Sequence, residues 1–587
     1  MKTLTPIIAL LILTASLSAE EPKTVRIIAS PETTYFTEPQ LPDGRIDYRA
    51  ILNNICSEGV TKENNVIVAM FSWMAGEKEV PLIRDAAEKR ETNAKAVESI
   101  NRYREKFWRE LGFDVAPDWR TLQFGFFPYD DPIRDLQQEL QKHYTAEELE
   151  ALVEPERKQR RERLQKRLEQ EEISQESFDA QMKDIDKESY RTIVQDQWSQ
   201  ALNSLWTEKD YPCLADGIKK TDEITQKLFD CSHRTQYFHP YFTEENSEVV
   251  VYILLPYVQA MRSSTRFLSL RGNWEFANGN IDQAFECAFT SIRFGNTIRR
   301  EGGCTVEELV GIAIANIGEQ RLITYLAHID GKKDATWILR KKKEFEALRQ
   351  IPFPNPPKTL LGERLMGLSI AQESAIRSDV ILEMFDNEDQ KGRFAETFGS
   401  DKEHDWNIIL RRLNLFYDDC EDINMMSDFA RRMRALQRLE ARGKDYRERY
   451  ETEQDSTHRA GDLILAEIIP PMVAAEMARI RAEWQNQVTR VAFALAAYRA
   501  EHDGKNPDTL EQLIPKYLDA VPTSPFTGKP MPYIHRENVT FVASTDTYKF
   551  DGSDAEVERV IAETDCGRLG VIHSEAHSRH LILVIQK

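Results

Sequence analysis

The residue pattern predicts a mainly α chain, an irregular array of helical hairpins closed by a small C-terminal α+β region. Three observations carry this. Apolar residues recur at the three–four spacing of a helix face, as in Val488, Val491, Ala492, Leu495 and Tyr498. Turn residues such as Asn278-Gly279-Asn280 divide the periodic stretches into pairs. Strand-like runs gather near the end, at Val539–Ser544, Arg568–Ile572 and Leu581–Ile585.

Taken in order, Met1–Ala19 has the form of a secretory signal peptide. Lys2 supplies the positive start, Ile7–Leu13 the apolar core, and Leu17-Ser18-Ala19 the small-residue cleavage site. The apolar core is shorter than the ~20 residues a spanning helix needs, so a cleaved leader is expected rather than an anchor. The mature chain is then periplasmic or secreted, with no membrane span after cleavage. Glu20–Pro42 is a proline-bearing lead-in. Ile46–Ser57 is expected to be a helix closed by Gly59, with Thr61 capping the next through Trp73. Helices follow at Val80–Lys89 and Ala96–Leu111, then an aromatic strap at Phe124–Tyr129. The expected units are 20–143 for this N-terminal region, 144–188, 189–455 and 456–587.

Residues 144–188 form a charged helical hairpin broken at Ile173-Ser174, with Leu164 and Leu168 as a thin apolar line. Alternating charges of this kind make a solvated, ion-paired face. Tyr190–Leu228 is expected to give two helices, and Asp230–Phe242 an aromatic loop sealing the core. Val249–Ala277 and Ile281–Thr297 make the strongest hairpin. Thr305-x-x-Glu308 has the form of a capping box before Leu309–Leu326. Helices continue through Ala335–Arg349, break at the prolines of 352–357, and resume near Leu360–Phe385, Asp405–Phe416 and Ile423–Arg449. In the last region a buried helix ends at Gly504. A short second helix runs from Pro507 to Ile514, and the proline-rich Val521–Pro532 lies extended across the first. A helix at Ala555–Glu563 lies between the strands.

With 587 residues there is ample length for a substantial core. The formal net charge of −20 repels phosphate backbones and disfavours nucleic acid as a partner. Seven cysteines, odd in number and far apart, do not make a disulfide framework; Cys213–Cys231 is the pair that would be tested first.

Two resemblances enter here. Ala277-x-Gly279-x-x-x-x-Ala284 resembles one tetratricopeptide-like unit, without a repeat at fixed interval. The residues Ala494-Leu495-x-x-Tyr498, Gly504, Pro507, Leu510-Glu511-x-Leu513, Tyr517-Leu518, Pro522, Pro525-Phe526 and Gly528-x-Pro530 resemble the C-terminal module of type II secretion major pseudopilins. Large secreted planctomycete-type proteins of unknown activity share this module. The opening run Asp47–Phe71 resembles theirs too, and Ile464–Gln487, with Pro470, resembles the lower pilin stem. Leu463–Ala475 is too short to span a bilayer and carries Glu467, which implies a module borrowed as a fold.

No residue is assigned to catalysis, to a cofactor or to a metal. Cys231, His233 and His239 are a zinc candidate with one close spacing, where zinc sites pair theirs. Asp418, Asp419, Glu421 and Asp422 lack the alternation and glycine of a calcium loop and read as a solvated helix end. His573, His577 and His580 read as exposed loop histidines, and Asp546, Asp551 and Asp554 are the acids that match a pseudopilin calcium site best. No nucleophile elbow, phosphate loop or H-E-x-x-H motif occurs. The expected role is an exported, non-enzymatic scaffold with a protein partner in the bacterial envelope. The alternatives are a component or client of a secretion or pilus-like apparatus, and a secreted hydrolase with a scattered active site.

Overall fold

The computed structural model describes residues 27–72, 136–170, 172–183, 185–241, 255–349, 357–376, 388–398, 403–525, 528–536, 539–545 and 580–586. The leader, the helices expected at Val80–Lys89, Ala96–Leu111 and Ala555–Glu563, the strap Phe124–Tyr129 and the strand Arg568–Ile572 lie outside them. So do His573, His577, Asp546, Asp551 and Asp554. The described residues are mainly helical.

The lead-in is tied down by its backbone: Asn414 donates to the carbonyls of Glu32 and Thr33, and Ile46 and Gln372 exchange two hydrogen bonds. Helix α1 (Tyr48–Ser57) is capped by Asp47 and stops before Gly59. Helix α2 (Val66–Ser72) starts later than expected. Thr61 and Asn64 satisfy each other in a turn, and Asn65 takes the Ile67 N–H. Short amide side chains compete well for such local donors.

After α3 (Leu136–His143), the charged hairpin is α4 (Ala146–Glu169) and α5 (Gln175–Lys183), followed by α6 (Ile185–Asn203). Thr145 and Glu148 form a reciprocal capping box at the start of α4. The hairpin is anchored through a small apolar cluster in which Leu149 and Val153 meet Ile193 and Val194 of α6. The stretch expected to hold two helices holds three: the end of α6, α7 (Pro212–Ile218) and α8 (Asp222–Ser232). Pro212 forces the extra start, since its fixed φ suits a first helical position.

Helices α9 (Pro256–Ala277) and α10 (Ile281–Glu301) form the expected hairpin around Gly279, whose φ is 86°. Helix α11 (Thr305–Ala327) crosses α10 closely. A Cβ on Gly295 would stand 2.5 Å from the Gly311 carbonyl, so only glycine allows the contact. Then come α12 (Ala335–Ala347), α13 (Lys358–Ser374), α14 (Glu388–Phe398), α15 (Trp406–Asn424) and α16 (Phe429–Thr452). Helix α14 was not anticipated. The acids of 418–422 fall within α15, and α16 starts later than Ile423, at Asp428, whose carboxylate accepts from Arg431 N–H.

Helix α17 (Ser456–Glu501) is a single helix of 46 residues, continuous through Pro470-Pro471. The second helix expected after Gly504 is only a 3-10 turn, Leu510–Leu513, with Leu510 and Leu513 buried. One turn suffices to bring both leucines onto α17. The proline-rich loop follows, held by Ser524 N–H to Lys529 O and Met531 N–H to Pro522 O. Strands β1 (Tyr533–Arg536), β2 (Val539–Thr545) and β3 (His580–Gln586) pair antiparallel in that order, with His580 opposite Thr545. β1 was not foreseen in the sequence.

Three larger apolar clusters fill the body. The first joins α1, α13, α14, α15 and α16 to the first half of α17, as far as Ile480. A second packs α10, α11 and α12 around the last turns of α17, from Trp484 onward, and takes in Leu510, Tyr517, Leu518 and Met531. The third gathers α2 and α6–α10. Helix α17 therefore passes from one core to another. Among the described residues no helix is long and apolar enough to cross a membrane.

Candidate functional site

Where these cores meet, the side chains change from apolar to charged. On α17 the residues Glu476, Arg479, Glu483, Asn486 and Thr489 recur at three–four spacing and make one polar stripe. Burial should exclude such groups unless each is paired. The facing helices supply the partners.

Arg479 donates to both oxygens of Glu308 at 2.7 Å and to Glu476 at 2.9 Å. Thr359 Oγ1 adds a hydrogen bond to Glu308 at 2.5 Å, and Arg432 reaches Glu476 at 3.3 Å. One turn on, Glu483 accepts from Arg349 at 2.7 Å and from Arg299 at 3.4 Å. Beyond it Glu319 accepts from Asn486 and Thr489 at 3.3 and 3.0 Å. The seam thus stitches α17 to α10, α11, α13 and α16.

Glu307, beside Glu308 in the first turn of α11, is fully buried and is held by two tyrosine hydroxyls and a backbone amide. Its oxygens lie 2.8 Å from Tyr237 Oη, 2.6 Å from Tyr241 Oη and 2.9 Å from Gly303 N. Tyr237 belongs to the third apolar cluster and Tyr241 to the first, so this carboxyl joins two cores. The approach is close: a Cβ on Gly362 would lie 1.7 Å from the Gly303 carbonyl. Glu363 caps the start of α11 from α13, accepting from Thr305 N–H at 2.9 Å.

This overturns the capping box at Thr305-x-x-Glu308. Cys304 is the N-cap and makes no side-chain cap bond, and Glu308 is drawn inward by Arg479. A bidentate charged pair outweighs a local cap.

Neighbouring carboxyls are pushed in opposite directions. Burial raises Glu307, more than the hydrogen bonds from Tyr241 and Tyr237 lower it; burial likewise raises Glu319 and Glu363. Burial would raise Glu308 too, but the charge and hydrogen bonds of Arg479 bring it below the ordinary value. Glu483 is lowered against its burial by Arg349 and Arg299. Opposed shifts of this sort occur in acid–base pairs of enzymes. Here Glu307, Glu308 and Glu319 lie in a packed interior, Glu483 is half-buried, and their bonds run between segments.

Glu483 also borders a groove of about 320 Å³ between α17 and the proline loop, lined by Trp484, Arg490, Asp519, Pro522 and Pro525. At the end of α17, Arg499 donates to Asp330 at 3.0 Å and to Leu326 O at 2.7 Å, and Tyr533 Oη donates to Pro507 O at 2.6 Å.

The metal candidates that fall among the described residues are not grouped to hold an ion. Cys231 packs in the third cluster, exposed His233 follows α8, and His239 Nδ1 contacts Pro240 O. Asp418, Asp419, Glu421 and Asp422 lie in the exposed or half-exposed last turns of α15, as expected of a solvated helix end; Asp418 and Glu421 also accept from Arg364, and Asp419 pairs with Arg442. Among the described residues no group of three or more His, Cys, Asp or Glu is placed to hold a metal ion. Cys213 and Cys231 pack in different apolar clusters and are not joined to each other. The three–four spacing of the charges at 476, 479 and 483 is the sequence signal for the seam.

Compared with models of known families, with curated proteins and with solved structures, the chain matches none of them.

Proposed function

We propose that this chain is an exported, non-enzymatic scaffold that holds a protein partner in the bacterial envelope. The observation that carries the reading is the charged seam. Glu307, Glu308, Arg479 and Glu483 are engaged in joining helices to one another, at the place where the cores converge. Buried ion pairs add little net stability against apolar substitutes, and their best-attested use is to specify one arrangement. A protein that must present surfaces on several helical units at fixed positions has use for that device.

The pseudopilin-like end fits the same role. Its long helix is shared with the body, and the proline loop and 3-10 turn pack onto the last turns of α17. We read this end as a cap borrowed for its fold, and the leader-like N-terminus as the export signal.

The test is cross-linking in the native envelope with the whole chain and with a chain ending after Glu501, which keeps α17 for the body. The expected result is one envelope protein captured in constant ratio by the whole chain and lost on truncation, with the melting transition of the body retained. Turnover of peptide, ester or glycan substrates by the purified chain, abolished by Glu307→Gln, would replace this reading with a hydrolase.

A further inference from the structure

Outside the seam, arginines converge once more, this time at the surface. On α15, α16 and α17 a pocket of about 280 Å³ is lined by Arg412, Arg442 and Arg449 together with Tyr446, Leu415 and Leu465. The three guanidinium carbons lie 5.9, 5.9 and 4.6 Å from the Tyr446 ring centre. In a chain of net charge −20, this lining contains no acid. Asp462 sits behind it, its side chain 3% exposed, and holds both Arg412 and Arg449 from below. Arg442 is held by Asp419 and donates to Tyr446 Oη at 3.2 Å. The acids orient the guanidiniums, and three positive groups facing two negative ones leave the pocket positive. Leu415, at 65% exposed, is the most exposed large apolar side chain described, and it lies on the same rim.

We propose that this pocket docks an acidic peptide segment of the partner, with a carboxylate on the guanidiniums and an adjoining aliphatic side chain on Leu415. The inference rests on the scaffold reading and gives its partner a chemistry. Guanidinium forks match carboxylates in two-point geometry. The volume is at the low end for a whole small-molecule ligand, and suits one or two side chains. The exposed leucine favours a peptide over a bare anion, since an inorganic anion has nothing to place against it. The acidic remainder of the surface opposes an extended polyanion.

The test uses the intact chain and a labelled peptide of alternating Glu and Leu, read by fluorescence anisotropy, with a Gln/Leu peptide and inorganic sulfate as controls. Binding to the Glu peptide is expected, weakening with salt. Arg442→Gln should weaken it about tenfold, the scale of one charged hydrogen bond, and Leu415→Ser several-fold. Both positions are partly exposed, so unchanged melting is expected; if Arg442→Gln melts lower, Leu415→Ser decides. Equal binding of the Gln peptide, no binding of the Glu peptide, indifference to Leu415→Ser, or displacement by sulfate at equal concentration would each overturn the proposal. Envelope capture that survives Arg442→Gln alongside such a failure would leave the scaffold reading standing and remove this site from it.

Discussion

The two halves of the long helix are held by different means. From Val491 to Ala497 every side chain is apolar and at most 2% exposed, packed against α10, α11 and α12. Between Glu476 and Glu483 the helix is only partly enclosed, with Glu476 and Ile480 buried and Arg479 and Glu483 half-buried, and its polar contacts are guanidinium to carboxylate. Apolar packing is tolerant, since many side chains of similar volume fill the same space. Ion pairs are not, because a carboxylate displaced by one turn loses its partner. The difference teaches that the apolar half supplies stability and the charged half supplies register.

This contrast can be broken most severely at Arg479. Arg479→Ala leaves Glu308 and Glu476 buried without their shared cation, and should cost about 3–5 kcal/mol in urea unfolding. The opposite half should respond as an ordinary core. Leu495→Ala should cost about 3 kcal/mol through a cavity and leave the pH dependence of stability as it was. If both substitutions altered the pH profile, the division of roles would be wrong.

The pH profile itself sharpens the comparison within the seam. Glu307 titrates above its unfolded value, so the stability tied to its proton is complete at low pH. That part is lost as pH rises through its folded value. Glu308 titrates below its unfolded value, so its contribution is present above about pH 4.3 and lost as pH falls through its folded value. Glu307→Gln should therefore flatten the decline on the alkaline side of the melting profile, and Glu308→Gln the decline on the acid side, with a lower plateau. At the far end of the scale, Arg340→Ala breaks the exposed pair with Glu344 on α12. It should stay within about 0.5 kcal/mol of the parent.

Much of the helical framework was legible because its signals are local. Asn278-Gly279-Asn280, the break before Ser174, Gly504 and the periodic run from Val488 each act within a few residues. The misreadings share a cause, which is a partner distant in the chain. Thr305 and Glu308 have the spacing of a cap, but Arg479 lies 171 residues away and takes the carboxylate. At 510–513 the leucines have helical spacing, and a single turn already buries them.

With 46 residues, α17 extends roughly 70 Å. Such a rod carries tension as well as shape. Force applied at the C-terminal strands enters the helix through Tyr533, the proline loop and Arg499, and reaches the charged joint before it reaches the first core. Short-range ion pairs yield abruptly where greasy contacts slide. Pulled from this end, the chain loads the second core and then the charged joint at Arg479 before the first core.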